Sequence, residues 1–156
     1  MTTHHGAADT PARLETRATW RVSRMHARVS HLLGVAFGAH GNGLRSYHYR
    51  LLAALEQWGD MSQADLGRRT GIDRSDVTGA LGDLEPRGLV VRSPDPTHGR
   101  RKIVAITPDG VARLGELDVV IDGVQEEFLA PLTPAQRREF LDLAARLADS
   151  APAGDA

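Results

Sequence analysis

Arg100, Arg101 and Lys102 stand side by side, and Arg74, Ser75, Thr78 and Gly79 are spaced earlier in the chain so that a helix would turn them toward one side. The chemistry open to this set is recognition of a polyanion that carries base edges. Guanidinium and ammonium groups bind phosphate oxygens, and short hydroxyl side chains reach the hydrogen-bonding groups of bases. A glycine among them lets a backbone come close.

The elements that must position these residues occupy 61–106. Ser62 precedes Gln63-Ala64-Asp65, which places a hydroxyl at a helix N-cap and a carboxylate three positions on. Thr70-Gly71 closes that short helix, because glycine enters the left-handed region cheaply. Asp73 and Asp76 repeat the capping signal for a second helix, in which Val77, Leu81 and Leu84 fall on one side and pack inward. The opposite side presents Arg74, Ser75, Thr78, Gly79 and Gly82, as the recognition helix of a helix-turn-helix does in a major groove. Pro86 and Gly88 end this helix. Two β-prone runs, Leu89-Val90-Val91 and Ile103-Val104-Ala105-Ile106, then flank the loop from Ser93 to Gly99, which predicts a hairpin with a basic tip. Helix, turn, helix and hairpin in this order make a winged helix-turn-helix, and duplex DNA is the expected partner. A winged helix that binds protein alone, as an assembly module without sequence-specific DNA binding, is the alternative.

The flanks are helical. From Leu14, the residues Ala18, Val22, Met25, Val29, Leu32, Ala36 and Phe37 recur mostly every three or four positions and predict one long helix. Val111, Leu114, Leu117, Val120, Ile121, Val124 and Phe128 repeat the pattern, and Thr133-Pro134 with Gln136 starts a last helix bearing Phe140, Leu143 and Leu147. The expected fold class is therefore mainly α with a small β-hairpin wing (α+β).

Composition agrees. With 156 residues and 41% hydrophobic content the chain can bury a domain-sized core. The net charge of −1 hides an uneven distribution: residues 11–50 hold seven arginines against Glu15 alone, 61–106 are net basic, and 108–149 are net acidic. Attraction to phosphate acts locally, since charges are screened over about 10 Å at ordinary ionic strength. All the basic residues except Lys102 are arginine, a bias that a GC-rich genome explains as well as chemistry does. No apolar run is long enough to span a bilayer, and Thr2 to Pro11 lacks the pattern of a secretory signal, so a soluble cytoplasmic protein is expected.

Other chemistries find little to work with. The chain has no cysteine, which excludes thiol redox sensing, disulfides and thiolate metal sites. His26 and His31 splay around a helix, and His40 and His48 straddle a glycine-rich break with no acid nearby in sequence, so no metal or other cofactor is expected. There is no Gly-x-Ser-x-Gly and no phosphate-cradling glycine loop, and no enzyme is expected.

In Gly43-Leu44-Arg45-Ser46-Tyr47-His48-Tyr49-Arg50-Leu51-Leu52, in Asp83-Leu84-Glu85-Pro86-Arg87-Gly88-Leu89-Val90, in Asp95-Pro96 with Arg100, and in Ile106-Thr107-Pro108-Asp109-Gly110, the chain resembles the multiple-antibiotic-resistance-regulator (MarR) family of bacterial transcription factors. Two positions depart from that pattern. His98 stands where the family commonly has the wing aspartate that pairs with its arginine, and Gly79 stands where many members carry a basic residue.

The resemblance implies a ligand-responsive regulator, a repressor that binds a near-palindromic operator. It also implies a homodimer whose first and last helices interlock, with recognition helices about 34 Å apart. A monomer whose terminal helices merely pack on the lobe is the other reading. The implied division is a tail (1–12), dimerisation and support helices (13–60), a DNA-binding lobe (61–107), C-terminal dimerisation helices (108–150) and a second tail (151–156). Arg74, Ser75, Thr78, Gly79, Arg100, Arg101 and Lys102 are the expected DNA contacts. A small aromatic or carboxylate effector is expected near Trp20, Arg24 and His31, which fall on one face of the first helix, and near Tyr47, His48 and Tyr49. The plainer possibility for these six is that they cap, pair and pack at the dimer seam.

Overall fold

The computed structural model of the chain describes residues 10–150. Both expected tails lie outside these residues, apart from Thr10, Pro11 and Ala12. In chain order come α1 (Ala12–Glu15), α2 (Ala18–His40), α3 (Ser46–Trp58), β1 (Met61–Ser62), α4 (Gln63–Thr70), α5 (Arg74–Leu84), β2 (Val90–Pro94), β3 (Lys102–Ile106), α6 (Pro108–Leu129) and α7 (Pro134–Ala148). Helices dominate, with one small antiparallel sheet in the order β1-β3-β2. That is the mainly helical, winged architecture the sequence predicts.

Local chemistry explains most of the boundaries. Ser62 Oγ accepts the Asp65 N–H at 3.1 Å to start α4, and Gly71 ends it at φ +67°. Thr133 and Gln136 form a reciprocal capping box at the start of α7, their side chains accepting from each other's backbone N–H. Asp73 takes the N-cap position of α5, but its side chain makes no capping bond.

Three expectations need correction. The helix expected from Leu14 is interrupted: α1 stops at Glu15, and Arg17 is extended before α2 begins. Apolar spacing carries no record of that break. A third strand was not expected, yet Met61 pairs with Val104 and Ser62 with Ile103, so Ser62 both closes the sheet and caps α4. β2 also continues through Ser93 and Pro94, which makes the wing loop shorter than the sequence suggests.

One core joins the helices to the sheet. Leu51, Leu52 and Leu55 of α3, Leu66 of α4, and Val77, Leu81 and Leu84 of α5 meet Val90 and Val104 of the sheet and Leu114 and Leu117 of α6. Burial of such side chains contributes roughly 1.5–3 kcal/mol each before entropy is counted. The start of α6 is seated tightly. Thr107 Oγ1 donates to the Gly88 carbonyl at 2.6 Å and accepts the Gly110 N–H at 3.0 Å. A β-carbon on Gly110 would lie 2.1 Å from the Leu89 carbonyl oxygen, so only glycine fits.

The corner between α2 and α3 is also clamped. Arg87, just beyond α5, donates from Nη1 to the Asn42 carbonyl at 2.6 Å. The outer helices bury much less. Val22, Val119, Leu141 and Leu147 are exposed, Val119 to 72% and Leu147 to 75%. Among the described residues no helix is long and apolar enough to cross a membrane.

Candidate nucleic-acid interface

α4 and α5 meet at a tight turn, where the Ile72 N–H donates to the Gly67 carbonyl at 3.1 Å and Thr70 Oγ1 donates to the Leu66 carbonyl at 2.6 Å. α5 buries Val77, Ala80, Leu81 and Leu84. Its other face leaves Arg74, Ser75, Thr78, Gly79 and Gly82 exposed, and β-carbons added at Gly79 or Gly82 would meet open space. That face combines one cation, two hydroxyls and bare backbone.

The wing brings the remaining cations to it. The Asp95 N–H donates to the Arg101 carbonyl at 2.9 Å and the Arg101 N–H to the His98 carbonyl at 2.8 Å, a tight reversal carrying Arg100 at its bend. Arg100, Arg101 and Lys102 then line a cleft of about 260 Å³ with Arg74 and with Ser62, Gln63 and Ala64 at the start of α4. Among the described residues none of these four cations makes an ion pair. Two carboxylates stand close, and both are occupied. Asp65 takes bonds from Ser62 and Arg68, which hold it below the usual carboxylate range. Asp95 is held low by the Thr97 N–H and hydroxyl, at 2.9 and 2.7 Å from the same carboxylate oxygen. Arg101 lies close enough to lower the pKa of both carboxylates further but pairs with neither, and cations beside α-helical N–H groups attract phosphate.

Sequence-expected contacts thus fall in two places. Arg74, Arg100, Arg101 and Lys102 share the cationic cleft, whereas Ser75 and Gly79 border a second groove of about 550 Å³ with Tyr47, Arg50 and Asp83. Thr78 lies between them, its Oγ1 donating to the Arg74 carbonyl at 2.9 Å and accepting from Gln63 Nε2 at 2.7 Å. Gln63 and Arg50 were not foreseen, since only the folded pairing of α4 and α3 with α5 brings them here.

The six residues expected around an effector do not line one cavity. Arg24 lies 5.9 Å from the centre of the Trp20 ring, within cation–π range, and the Trp20 Nε1–H is buried with no acceptor among the described residues. His31 lies farther along α2 in a groove of about 680 Å³, opposite Glu116, Val119 and Gly123 of α6. Tyr47 faces α5, and the Tyr49 hydroxyl donates to Asp118 of α6 at 2.8 Å. Burial, then that bond, pushes the Tyr49 phenol up to about 12. His48 is 1% exposed; its Nδ1 accepts the Arg45 N–H at 2.9 Å, and its Nε2 lies 2.9 Å from Asp83 Oδ2. The acid that sequence neighbours lack is therefore supplied by α5, and His48 caps α3. Among the described residues, no cluster of three or more His, Asp or Glu is placed to hold a metal.

Comparison with known proteins gives a consistent picture. A MarR family sequence model matches residues 42–101. The HTH-type transcriptional repressor NicR of Pseudomonas putida is 31% identical over 132 residues, covering 79% of this chain and 84% of NicR. A transcriptional regulatory protein for the hcr operon of Thauera aromatica is 31% identical over 99 residues, which is 64% of this chain but only 60% of that protein. The solved structure of BpsR from Bordetella bronchiseptica, whose DNA binding is regulated by 6-hydroxynicotinic acid, superposes with a TM-score of 0.78 at 25% identity over 91% of this chain and 100% of BpsR.

Proposed function

The chain belongs to the MarR family of transcriptional regulators, and from that premise we propose that it represses transcription by binding duplex DNA as a homodimer until a small effector releases it. The observation that carries this reading is the cleft where Arg74, Arg100, Arg101 and Lys102, none of them ion-paired among the described residues, lie beside the exposed, non-apolar face of α5. Cations without protein partners bind phosphates without first breaking an ion pair. α5 then enters the major groove, and the wing follows the backbone or the adjacent minor groove.

Dimerisation is supported by apolar surface that one chain leaves open on α2, α6 and α7, including Val22, Val119 and Leu147. In this division 61–107 is the DNA-binding lobe, and 13–60 with 108–150 supply support and dimer helices. A two-fold pair reads a near-palindrome in the cytoplasm, where the DNA is. Loss of electrophoretic shift for every genomic fragment at low salt, together with a single-chain mass by light scattering, would overturn the reading.

For the effector we place the first contacts at Trp20 and Arg24. An indole N–H that is buried without an acceptor among the described residues, next to a guanidinium, suits a planar carboxylate, and the DNA binding of BpsR, a structural neighbour, is regulated by an aromatic acid. Calorimetric titration with benzoate and 6-hydroxynicotinate tests this on wild type and Arg24→Ala. Equal heats from both proteins remove Arg24 from the site.

A further inference from the structure

We propose that Gln63 is a positioning residue for base recognition: its amide fixes the Thr78 hydroxyl so that Thr78 offers a methyl group and one lone pair, and no donor, to an A·T base pair. The inference rests on the DNA-binding reading above and names how one position of that interface selects sequence.

A threonine hydroxyl has one proton and two acceptor sites. In Thr78 the proton is committed to the Arg74 carbonyl at 2.9 Å, four residues back in α5. One acceptor site is filled by Gln63 Nε2 at 2.7 Å. The orientation of the amide follows from this network, because an oxygen already giving its proton to Arg74 can only accept from Gln63. Threonine in a helix ordinarily divides between two rotamers. A second bond from α4 selects one of them.

What remains free is the Thr78 methyl and a single lone pair, on a face where Gly79 and Gly82 contribute no side chain. Neither glycine therefore screens the Thr78 side chain, which is exposed. In the major groove an A·T pair displays the thymine methyl and the adenine N6 amino group. The methyl matches the first and the lone pair accepts from the second. A G·C pair offers an amino donor without a methyl, and the acceptors of guanine find no proton on Thr78. Gln63 also lines the cationic cleft with Arg74 and Arg100, so a phosphate docked there borders the group that sets the reading atom.

The test is selection of wild-type, Gln63→Ala, Thr78→Val and doubly substituted proteins on randomised duplexes, with affinity for a fixed non-specific duplex measured alongside. Wild type should favour A·T at one position per half-site by about tenfold, and Gln63→Ala should reduce this to about threefold or less. Helix content should not change, and because Gln63 borders the cationic cleft, any fall in non-specific affinity is read separately from the A·T preference. Thr78→Val keeps the methyl but loses the lone pair and should retain only part of the preference, and adding Gln63→Ala to it should cause no further loss. Undiminished preference in DNA-binding Gln63→Ala overturns the inference and leaves the functional reading intact. A wild-type protein that binds no duplex overturns both. A uniform fall in affinity with the A·T preference intact would show that Gln63 serves only the cleft or the fold of α4, and would also overturn the inference.

Discussion

His48 Nε2 stands 2.9 Å from Asp83 Oδ2, and the pair joins the first turn of α3 to the last turn of α5. Because Nδ1 accepts the Arg45 N–H, the neutral ring must carry its proton on Nε2 and donate to Asp83. A second proton would set two donors against each other at Arg45.

The pH dependence follows from that geometry. Burial lowers the His48 pKa below 6.5, and it outweighs the raising effect of Asp83, while Arg87 and Arg45 add to the lowering. A folded-state value below the unfolded one gives stability that is complete above about 6.5 and is lost as pH falls through the folded value. Thermal unfolding between pH 7.5 and 5 should show this loss in wild type and a flatter profile in His48→Gln, which can keep the cap without titrating. Parallel profiles would show that another group governs the acid limb.

Arg100→Ala should weaken binding to all sequences alike and reduce the slope of log affinity against log salt by about 1, the signature of one lost phosphate contact. Ser75→Ala should leave the slope alone and change base preference. Fluorescence anisotropy at several salt concentrations separates the two effects, and the reverse pattern would exchange the roles assigned to wing and helix.

Gly79 has open space around it, so a side chain there costs the fold nothing. Gly79→Ala should stabilise the protein by roughly 0.8–1 kcal/mol, the usual helix preference of alanine over glycine. Gly79→Arg should in addition tighten non-specific DNA binding. Tighter binding with unchanged sequence preference would place the new guanidinium on phosphate.

Gly110 is the opposite case, because its backbone lies against the Leu89 carbonyl. Gly110→Ala should cost about 1–3 kcal/mol by overpacking, read as a lower midpoint in urea with an unchanged slope. A neutral result would mean that α6 shifts freely against the wing.

Much of this was legible in the chain. Ser62, Gly71 and Thr133 announce helix ends through side-chain chemistry that acts within three or four residues, and the inward side of α5 follows from Val77, Leu81 and Leu84. The strand at Met61 and Ser62 was not legible, since two residues have no periodicity to read and exist as a strand only through β3. The break after Glu15 was missed because the apolar stripe keeps its spacing across it. Tyr47, His48 and Tyr49 are neighbours in sequence, and a helix turns them toward α5, the core and α6 respectively. Asp83 and Gln63 reach their partners across 35 and 15 residues of chain, distances at which spacing says nothing.

The Arg87 clasp on the Asn42 carbonyl has a mechanical consequence. α2 is a rod about 35 Å long at 1.5 Å per residue that ends beside that clasp, so each degree of tilt about this end would move its outer end by about 0.6 Å. Trp20 and Arg24 lie near the outer end, and Arg87 stands three residues beyond α5. If the proposed effector acts at Trp20, it would work with long leverage on a short throw, and Arg87→Ala should let it bind without releasing the protein from DNA.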